Sequence, residues 1–189
     1  MRKFMIFDTE TTGLPVRGAD VIDKRQPRIV QFAALMMQED GRILHEVNLT
    51  VKSDIPIPAE ASRIHGITDE VAAQGVDPLL MVVVYEQLAK QADMLVAHNA
   101  AYDLPRLEAA TVWCNREWKK PPRTFCTMQY LTPVMKLPGR HGYKWPRLSE
   151  AYRYMFKKDM ENAHDAMGDV RATAQVFLNL LNEDGFILP

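Results

Sequence analysis

The chain has 189 residues, of which 47% are hydrophobic and 25% are charged, and its formal net charge is −1. These values exclude a disordered or collagen-like chain and predict one domain, over residues 1–189, with a core of its own. No apolar run approaches the roughly 18 residues that a membrane span needs, and a charge stands too early for a secretory signal. The two cysteines, Cys114 and Cys126, are too few for a disulfide framework. The sequence therefore predicts a soluble protein of a reducing compartment, the cytoplasm, without membrane contact.

Charge is unevenly distributed along the chain. Residues 116–158 contain eleven lysines and arginines but two acids, Glu117 and Glu150, which gives this stretch a net charge of +9. It also holds eight of the sixteen aromatic residues. Cations for phosphates, interleaved with flat rings for bases, are typical of single-stranded nucleic acid binding. On charge alone, a solvated basic face with ordinary core aromatics remains the alternative.

Apolar patterning predicts three strands first, followed by strands that alternate with helices. A Glu-Asp-Gly turn joins the second and third strands, so the first three are expected to form an antiparallel meander. The predicted strands cover residues 2–9, 28–37, 42–51, 94–97 and 125–128. This order indicates an α/β domain with a mixed central sheet flanked by helices.

Helix signals are mostly caps and apolar periodicity. Thr68 and Asp77 are predicted N-caps, and Pro78 suits a first helical position. The predicted helices cover residues 59–65, a short stretch after Thr68, 78 to about 91, a stretch that follows the strand at 94–97 and ends at about 113, 148–156 and 165–182. Residues 13–27, 119–123 and 138–142 are interpreted as connections, the last two as mobile ones.

Two carboxylates end the first predicted strand. Asp8 and Glu10 are two residues apart, so they share one face of a strand. A carboxylate at the end of a buried strand is costly unless it is paired or coordinates a cation. Mg²⁺ or Mn²⁺, which prefer oxygen ligands, would relieve the repulsion between the two. Alternatively, both are solvated residues at a junction between strand and loop.

A second polar cluster follows the short strand at 94–97. It runs His98-Asn99-Ala-Ala-Tyr102-Asp103, and the carboxyl end of a strand is a favoured place for a site in an α/β sheet. Asp103 could instead cap a helix that begins at Leu104, because a proline at the next position suits a first turn. The two interpretations are compatible, since a capping residue can still direct its carboxylate at a metal.

The third cluster, His164-Asp165-Ala-Met-Gly-Asp169, opens the last predicted helix. Asp165 is the natural N-cap, which puts Asp169 in the first turn or just beyond it. On one continuous helix, His164 and Asp169 would lie about 140° apart. They can therefore converge only if His164 precedes the helix. A surface histidine near a helix start is the alternative.

In this order and spacing, the three clusters resemble the DEDD superfamily of 3′→5′ exonucleases. Its members include proofreading subunits of replicative polymerases, three-prime repair exonucleases and ribonuclease T. The stretches Ile64–Glu70 and Tyr102–Pro105 are similar to proofreading and three-prime repair members, respectively. Asp165 stands where the tyrosine subclass has its tyrosine, so the resemblance is to the histidine subclass. It implies a ribonuclease H-like fold.

The resemblance also implies a catalytic site. Asp8, Glu10, Asp103 and Asp169 would bind two divalent ions, Mg²⁺ or Mn²⁺, and His164 would be the general base, since imidazole titrates near neutral pH. The implied enzyme hydrolyses phosphodiester bonds from a 3′ end by a two-metal mechanism and releases nucleoside 5′-monophosphates. His98 could orient a loop or touch the phosphate. The residues expected to contact substrate are Thr12, Leu14, His65, Ile67, Asn99, Lys144 and Arg147.

The expected partner is the 3′ end of single-stranded or frayed DNA. An exoribonuclease with the same acids is the nearest alternative, because the sequence does not show whether the pocket accepts a 2′-hydroxyl. A non-catalytic binding module is disfavoured because all four acids and the histidine are present. A non-covalent contact with a DNA polymerase stays open.

Overall fold

The central element of the computed structural model, which describes residues 1–121, 123–160 and 165–188, is a five-stranded sheet. In sheet order the strands are β3 (Ile43–Thr50), β2 (Ile29–Gln38), β1 (Lys3–Thr11), β4 (Met94–Ala97) and β5 (Thr124–Cys126). The first three strands are antiparallel neighbours, whereas β4 and β5 run parallel to β1. The predicted mixed sheet is confirmed.

Helices cover both faces of the sheet. They are α1 (Ala59–His65), α2 (Asp69–Ala73), α3 (Pro78–Ala89), α4 (Ala100–Trp113), α5 (Thr127–Met135), α6 (Leu148–Phe156) and α7 (Ala166–Leu181). The three predicted N-caps are confirmed, because the side chains of Thr68, Asp77 and Asp165 each accept a hydrogen bond from a backbone N–H in the first turn.

The two faces of the sheet carry separate apolar clusters. Alternation along β1 sends Phe4 and Ile6 to the face covered by α5, α6 and α7, and Met5 and Phe7 to the face covered by α3 and α4. Phe4 meets Phe177 of α7 edge to face, with ring centroids 5.0 Å apart. Even-numbered positions of β1 therefore face α7, and odd-numbered positions face α4.

The predicted strand at 125–128 is wrong beyond Cys126. Thr127 begins α5, a helix that the sequence did not indicate because Pro133 lies within it. Proline removes a backbone donor and usually interrupts a helix. Met128 and Leu131 are nevertheless buried, and this packing outweighs the local cost of the proline.

The interpretation of residues 138–142 as a connection is also wrong. Strands β6 (Pro138–Gly139) and β7 (Gly142–Tyr143) pair there as a short antiparallel hairpin. Gly142 has a φ of 118°, a conformation that glycine adopts without the strain a side chain would add.

No helix in the described ranges combines the length and apolar character needed to cross a bilayer. Cys114 and Cys126 are both free thiols, as expected. The assignment of residues 1–189 to a single domain stays a prediction.

Candidate active site

Three carboxylates meet where β1 ends. Asp8 and Glu10 occupy even positions of β1 and so face α7, whose first turn carries Asp169. One carboxylate oxygen from each residue lies within 4.8 Å of the others. The N-cap Asp165 fixes the start of α7, since it accepts from the Gly168 N–H at 3.1 Å. The alternation of a strand and the cap of a helix together produce this cluster.

Burial and mutual repulsion dominate the electrostatics of the cluster. Burial raises the pKa of Glu10 to about 8, with repulsion from Asp169 and Asp103 adding to it. Burial also raises the pKa of Asp8 well above its usual range, and Asp103 and Asp169 raise it further. Among the described residues, no lysine or arginine forms an ion pair with Asp8 or Glu10.

The donor set fits a divalent cation. It consists of carboxylate oxygens alone, which are the ligands that hard ions such as Mg²⁺ and Mn²⁺ prefer. Burial and, after it, mutual repulsion hold the pKa values of Asp8 and Glu10 high, and a bound dication would offset both. The acidic cluster therefore indicates the use of divalent metal.

Asp103 approaches β1 from the other face of the sheet. Thr9 occupies an odd position, and its hydroxyl donates to Asp103 Oδ1 at 2.7 Å. Asp103 is 2% exposed, and burial raises its pKa to about 7 although the Thr9 hydrogen bond opposes that shift. The cluster of mutually close oxygens comprises Asp8, Glu10 and Asp169, and Asp103 acts on it through its charge on Asp8.

The alternative that Asp103 caps a helix is wrong. Helix α4 begins at Ala100 with Asn99 as N-cap, and the backbone N–H groups of Tyr102 and Asp103 donate to the Asn99 carbonyl. In the described chain, the Asn99 side chain makes no capping hydrogen bond. Asp103 lies within the first turns, so its carboxylate bonds Thr9 instead of the helix terminus. Pro105 is accommodated inside the helix.

Tyr102 holds the segment that follows β1, a role that the sequence did not reveal. Its hydroxyl donates to the Gly13 carbonyl at 2.9 Å and also contacts the Thr11 hydroxyl. Thr12 is buried and bonded to the backbone of Arg28 through both its N–H and its hydroxyl. The segment is therefore fixed up to Gly13.

Leu14, by contrast, is 86% exposed immediately after this fixed segment. An exposed leucine beside a carboxylate cluster is available to contact a ligand, as the prediction of base contact requires. That contact stays a prediction.

A buried pair, Arg106 and Gln26, organises the long connection after β1. Arg106 Nη1 donates to Gln26 Oε1 at 2.9 Å, and Gln26 Nε2 donates to the carbonyl of Asp20 at 3.0 Å. Arg106 lies on the same helix as Asp103 and slightly lowers the pKa of that acid. No local sequence pattern indicates this pair, because its members are 80 residues apart.

His65 is the last residue of α1, and Ile67 follows it after the helix-ending Gly66. The Ile67 N–H donates to His65 Nδ1 at 3.1 Å, which leaves the ring proton on Nε2 in the neutral form. Burial lowers the pKa of His65, although the backbone of Thr11 opposes the shift. Ile67 is 6% exposed and packs in a small apolar cluster that includes Val30 and Ile57. Substrate contact by His65 or Ile67 stays a prediction.

His98 is committed to structural hydrogen bonds through both ring nitrogens. Its Nε2 lies 3.0 Å from the carbonyl of Pro146, and its Nδ1 lies 2.9 Å from the hydroxyl of Thr127. Because a carbonyl only accepts, Nε2 carries the proton and Thr127 donates to Nδ1. Burial lowers the pKa of His98, in keeping with this neutral ring. Of the two roles left open by the sequence, the geometry favours loop orientation.

The basic stretch 116–158 is divided between the two ends of the sheet. Arg116 forms a bidentate ion pair with Glu86 on the side where β4 begins. Lys144 and Arg147 lie near His98, which directly follows β4, and both are exposed. Lys144 pairs with Glu150, and Arg147 precedes α6 as its N-cap. Phosphate contact by these two cations stays a prediction.

His164, the predicted general base, lies outside the described residues. In the sequence it immediately precedes Asp165, the N-cap of the helix that carries Asp169. Its catalytic assignment stays a prediction.

The fold and the acidic cluster define a class of α/β proteins that use divalent metal at the end of a central strand. The exonuclease family profile of the RNase T type matches residues 5–177, so the chain belongs to this family, among the DEDD 3′–5′ exonucleases.

Three similar proteins extend this result. A DNA polymerase III subunit epsilon-like protein of Rhodobacter capsulatus is 33% identical over 181 residues, which are 94% of this chain and 23% of that protein. E. coli exonuclease I, solved with a dT13 oligonucleotide, superposes with a TM-score of 0.77 at 18% identity, over 96% of this chain and 41% of the other.

The nuclease domain of 3′hExo, described as a DEDDh family member and bound to rAMP, superposes with a TM-score of 0.74 at 14% identity. That match covers 99% of this chain and 94% of the other. At these identities the two structures establish the fold, and they confirm the ribonuclease H-like prediction. The chain spans about a quarter of the Rhodobacter relative and less than half of exonuclease I.

Proposed function

We propose that the protein is a metal-dependent 3′–5′ exonuclease that removes nucleoside 5′-monophosphates from the 3′ ends of single-stranded or frayed DNA. The observation that carries this proposal is the convergence of Asp8, Glu10 and Asp169 within 4.8 Å, in a chain of the exonuclease family. Three neighbouring, partly buried acids, with no ion-pair partner for Asp8 or Glu10 among the described residues, are costly unless a cation joins them.

Two divalent cations, Mg²⁺ or Mn²⁺, would be held by these acids. Asp8, Glu10 and Asp169 would bind one, and Asp103, whose charge acts on Asp8, would complete the set for the second. Bound cations would supply Lewis-acid chemistry, since they neutralise phosphate charge and make an attacking water more acidic. Thr9 fixes the direction of the Asp103 carboxylate through its hydrogen bond.

The remaining roles belong to residues around the cluster. His164 would take the proton of the attacking water, a task that suits a group titrating near neutral pH. Tyr102 holds Gly13, so the exposed Leu14 would meet the terminal base. Asn99 and His65 would line the approach to the acids, and Lys144 and Arg147 would contact phosphates further along the strand.

DNA is the proposed substrate because of what the relatives' names state. The Rhodobacter relative is named for DNA polymerase III, and exonuclease I was solved with a DNA oligonucleotide. A contact between this chain and a polymerase stays a prediction. RNA of the same sequence is the comparison that decides the sugar preference.

The test is a timed digestion of matched DNA and RNA 20-mers, labelled at the 3′ or the 5′ end. With Mg²⁺ or Mn²⁺, we expect 3′-labelled strands to release their label at once as a mononucleotide. Strands labelled at the 5′ end should shorten by one nucleotide at a time. EDTA should stop both. Internal cuts, shortening from the 5′ end, or undiminished activity in EDTA would overturn the proposed function. Faster digestion of RNA than of DNA would overturn only the choice of DNA as substrate and would leave the proposed exonuclease activity standing.

A further inference from the structure

Two large aromatic side chains are exposed at the end of the β6–β7 hairpin, one in β7 and one two residues after it. Tyr143 is 55% exposed and Trp145 is 65% exposed. Phe125 and Tyr152 of the same basic stretch are instead buried in the core, and Tyr154 of α6 is 44% exposed. Two rings left largely in water on one short segment need an explanation other than folding.

The extended backbone after β7 favours a common side for the two rings. Lys144 N–H donates to the Leu137 carbonyl at 3.0 Å, which continues the pairing of β6 and β7 by one residue. Alternation along an extended chain puts Tyr143 and Trp145 on the same side and Lys144 on the other. The ammonium of Lys144 reaches Glu150 of α6, which accounts for the lysine without using the rings.

The segment is fixed on both sides of Trp145. Lys144 is held by its backbone bond to Leu137, and the carbonyl of the buried Pro146 accepts from His98 Nε2 at 3.0 Å. A ring between two anchored residues loses little conformational freedom when a ligand binds, so it is preorganised.

The anchor also places the rings at the catalytic edge of the sheet. His98 directly follows β4, which runs parallel to β1. The carboxyl ends of parallel neighbours meet at the same edge, and β1 carries Asp8 and Glu10 at that end. Trp145 is therefore one residue from a contact with this edge.

The surrounding charge indicates the partner. Residues 136–147 contain no acid and four lysines or arginines: Lys136, Arg140, Lys144 and Arg147. Exposed rings among cations match a strand of bases and phosphates and do not match an apolar protein face.

We propose that Tyr143 and Trp145 form a stacking platform for bases of a single-stranded nucleic acid upstream of the 3′-terminal nucleotide. This inference rests on the proposed function for the direction of the strand. Because every base has a flat face, the platform accepts any sequence and adds affinity only for strands long enough to reach it.

The first test compares cleavage of dT2 and dT12. Trp145→Ala is expected to raise KM for dT12 about tenfold, with kcat on dT12 and all parameters for dT2 unchanged. Trp145→Phe, which keeps a ring, should recover most of the loss. The matched control is Tyr154→Ala, which removes a 44% exposed aromatic from α6 within the same basic stretch. Equal losses on dT2 and dT12, or no loss on dT12, would overturn the platform.

The second test needs no catalysis. Fluorescence anisotropy of 5′-labelled dT12 is measured with Asp8→Asn and with the double variant Asp8→Asn/Trp145→Ala. We expect dT12 to bind the double variant about tenfold more weakly, with no difference for dT2. Unchanged dT12 affinity would overturn the platform even if the enzyme is an exonuclease. Normal platform binding by a wild type that releases no 3′ nucleotides would overturn the proposed function instead.

Discussion

The carboxylates at the end of β1 and several carboxylates on the protein surface have pKa values that are shifted in opposite directions. Hydrogen bonds from arginines lower the pKa values of Glu39 and Glu46, and the partners are Arg2 and Arg171. Burial instead raises the pKa of Glu10 to about 8, and neighbouring acids add to the shift.

The contrast shows that the candidate metal site differs from the surface ion pairs in whether the acids have a cationic side chain as partner. Glu39 and Glu46 have cationic partners supplied by the fold, and so does Glu86, which pairs with Arg116. Asp8 and Glu10 have no such partner within the described residues, although arginines are plentiful in the chain. Groups kept close together against their repulsion are ready for a cation that the protein does not itself provide.

The largest expected effect is on kcat/KM, which should fall when an acid at the end of β1 is changed but not when a surface acid is changed. Asp8→Asn should lower kcat/KM on 3′-labelled dT12 by about 10³-fold or more, because Asp8 is a proposed metal ligand and such a ligand is worth several kcal/mol in the transition state. Glu39→Gln, which also converts an acid to its amide but at the opposite end of β1, should leave kcat/KM unchanged. Near-normal cleavage by Asp8→Asn would show that the cluster is not catalytic.

The hydrogen bond from the Thr9 hydroxyl to Asp103 allows a finer test of the role proposed for the acids. Thr9→Val removes the donor to Asp103 Oδ1 and should lower kcat by about 10–100-fold, as loss of a group that orients a ligand does. Thr9→Ser keeps the hydroxyl and should restore most of the activity. If the valine and serine variants are equally active, the hydrogen bond does not position Asp103.

Stability in the absence of metal should depend on pH in the direction set by the raised pKa values. Glu10 titrates near 4.5 when unfolded and near 8 when folded, so the folded protein binds more protons between those values. The melting temperature in EDTA should therefore fall as pH rises from 5 to 8, and Mn²⁺ at pH 8 should reverse the loss. A melting temperature that rises over this range would contradict the assignment.

Neutralising one cluster acid should stabilise the metal-free protein. Glu10→Gln removes repulsion and is expected to raise the melting temperature in EDTA at pH 8 by a few degrees while it lowers activity. The same change at Glu39 removes an ion pair instead, and should lower the melting temperature slightly. A destabilised Glu10→Gln protein would show that the cluster is not under strain from its charges.

The smallest effect is expected for the surface pairs. Glu86→Gln breaks the pair with Arg116, and exposed pairs contribute about 1 kcal/mol or less to the free energy of unfolding. Urea unfolding should detect only this small change. A loss of several kcal/mol would mean that the pair has a larger structural role than its partly exposed position indicates.

Local patterns were sufficient to predict much of the fold. Dense apolar runs located β1 and β2 within two residues of their ends, and the caps Asp77 and Asp165 marked the starts of α3 and α7. The two-residue period of a strand predicted that Asp8 and Glu10 share a face. These features depend on neighbours in the sequence, which a pattern can reveal.

Contacts between residues that are far apart in the chain could not be predicted from the sequence. Thr9 and Asp103 are 94 residues apart, and their hydrogen bond exists only because α4 packs on the odd-numbered face of β1. Helix α5 was missed because Pro133 argues locally against a helix that burial of Leu131 stabilises. Neither signal is visible until the tertiary packing is known.

Titration with Mn²⁺ at pH 7.5, followed by calorimetry and by the loss of the free-ion electron paramagnetic resonance signal, tests the carboxylate cluster most directly. We expect saturable binding to the wild type and to Glu39→Gln, and a large loss of affinity in both Asp8→Asn and Glu10→Gln. Equal Mn²⁺ binding by all four proteins would contradict this expectation, because the ion would then be held somewhere other than the end of β1.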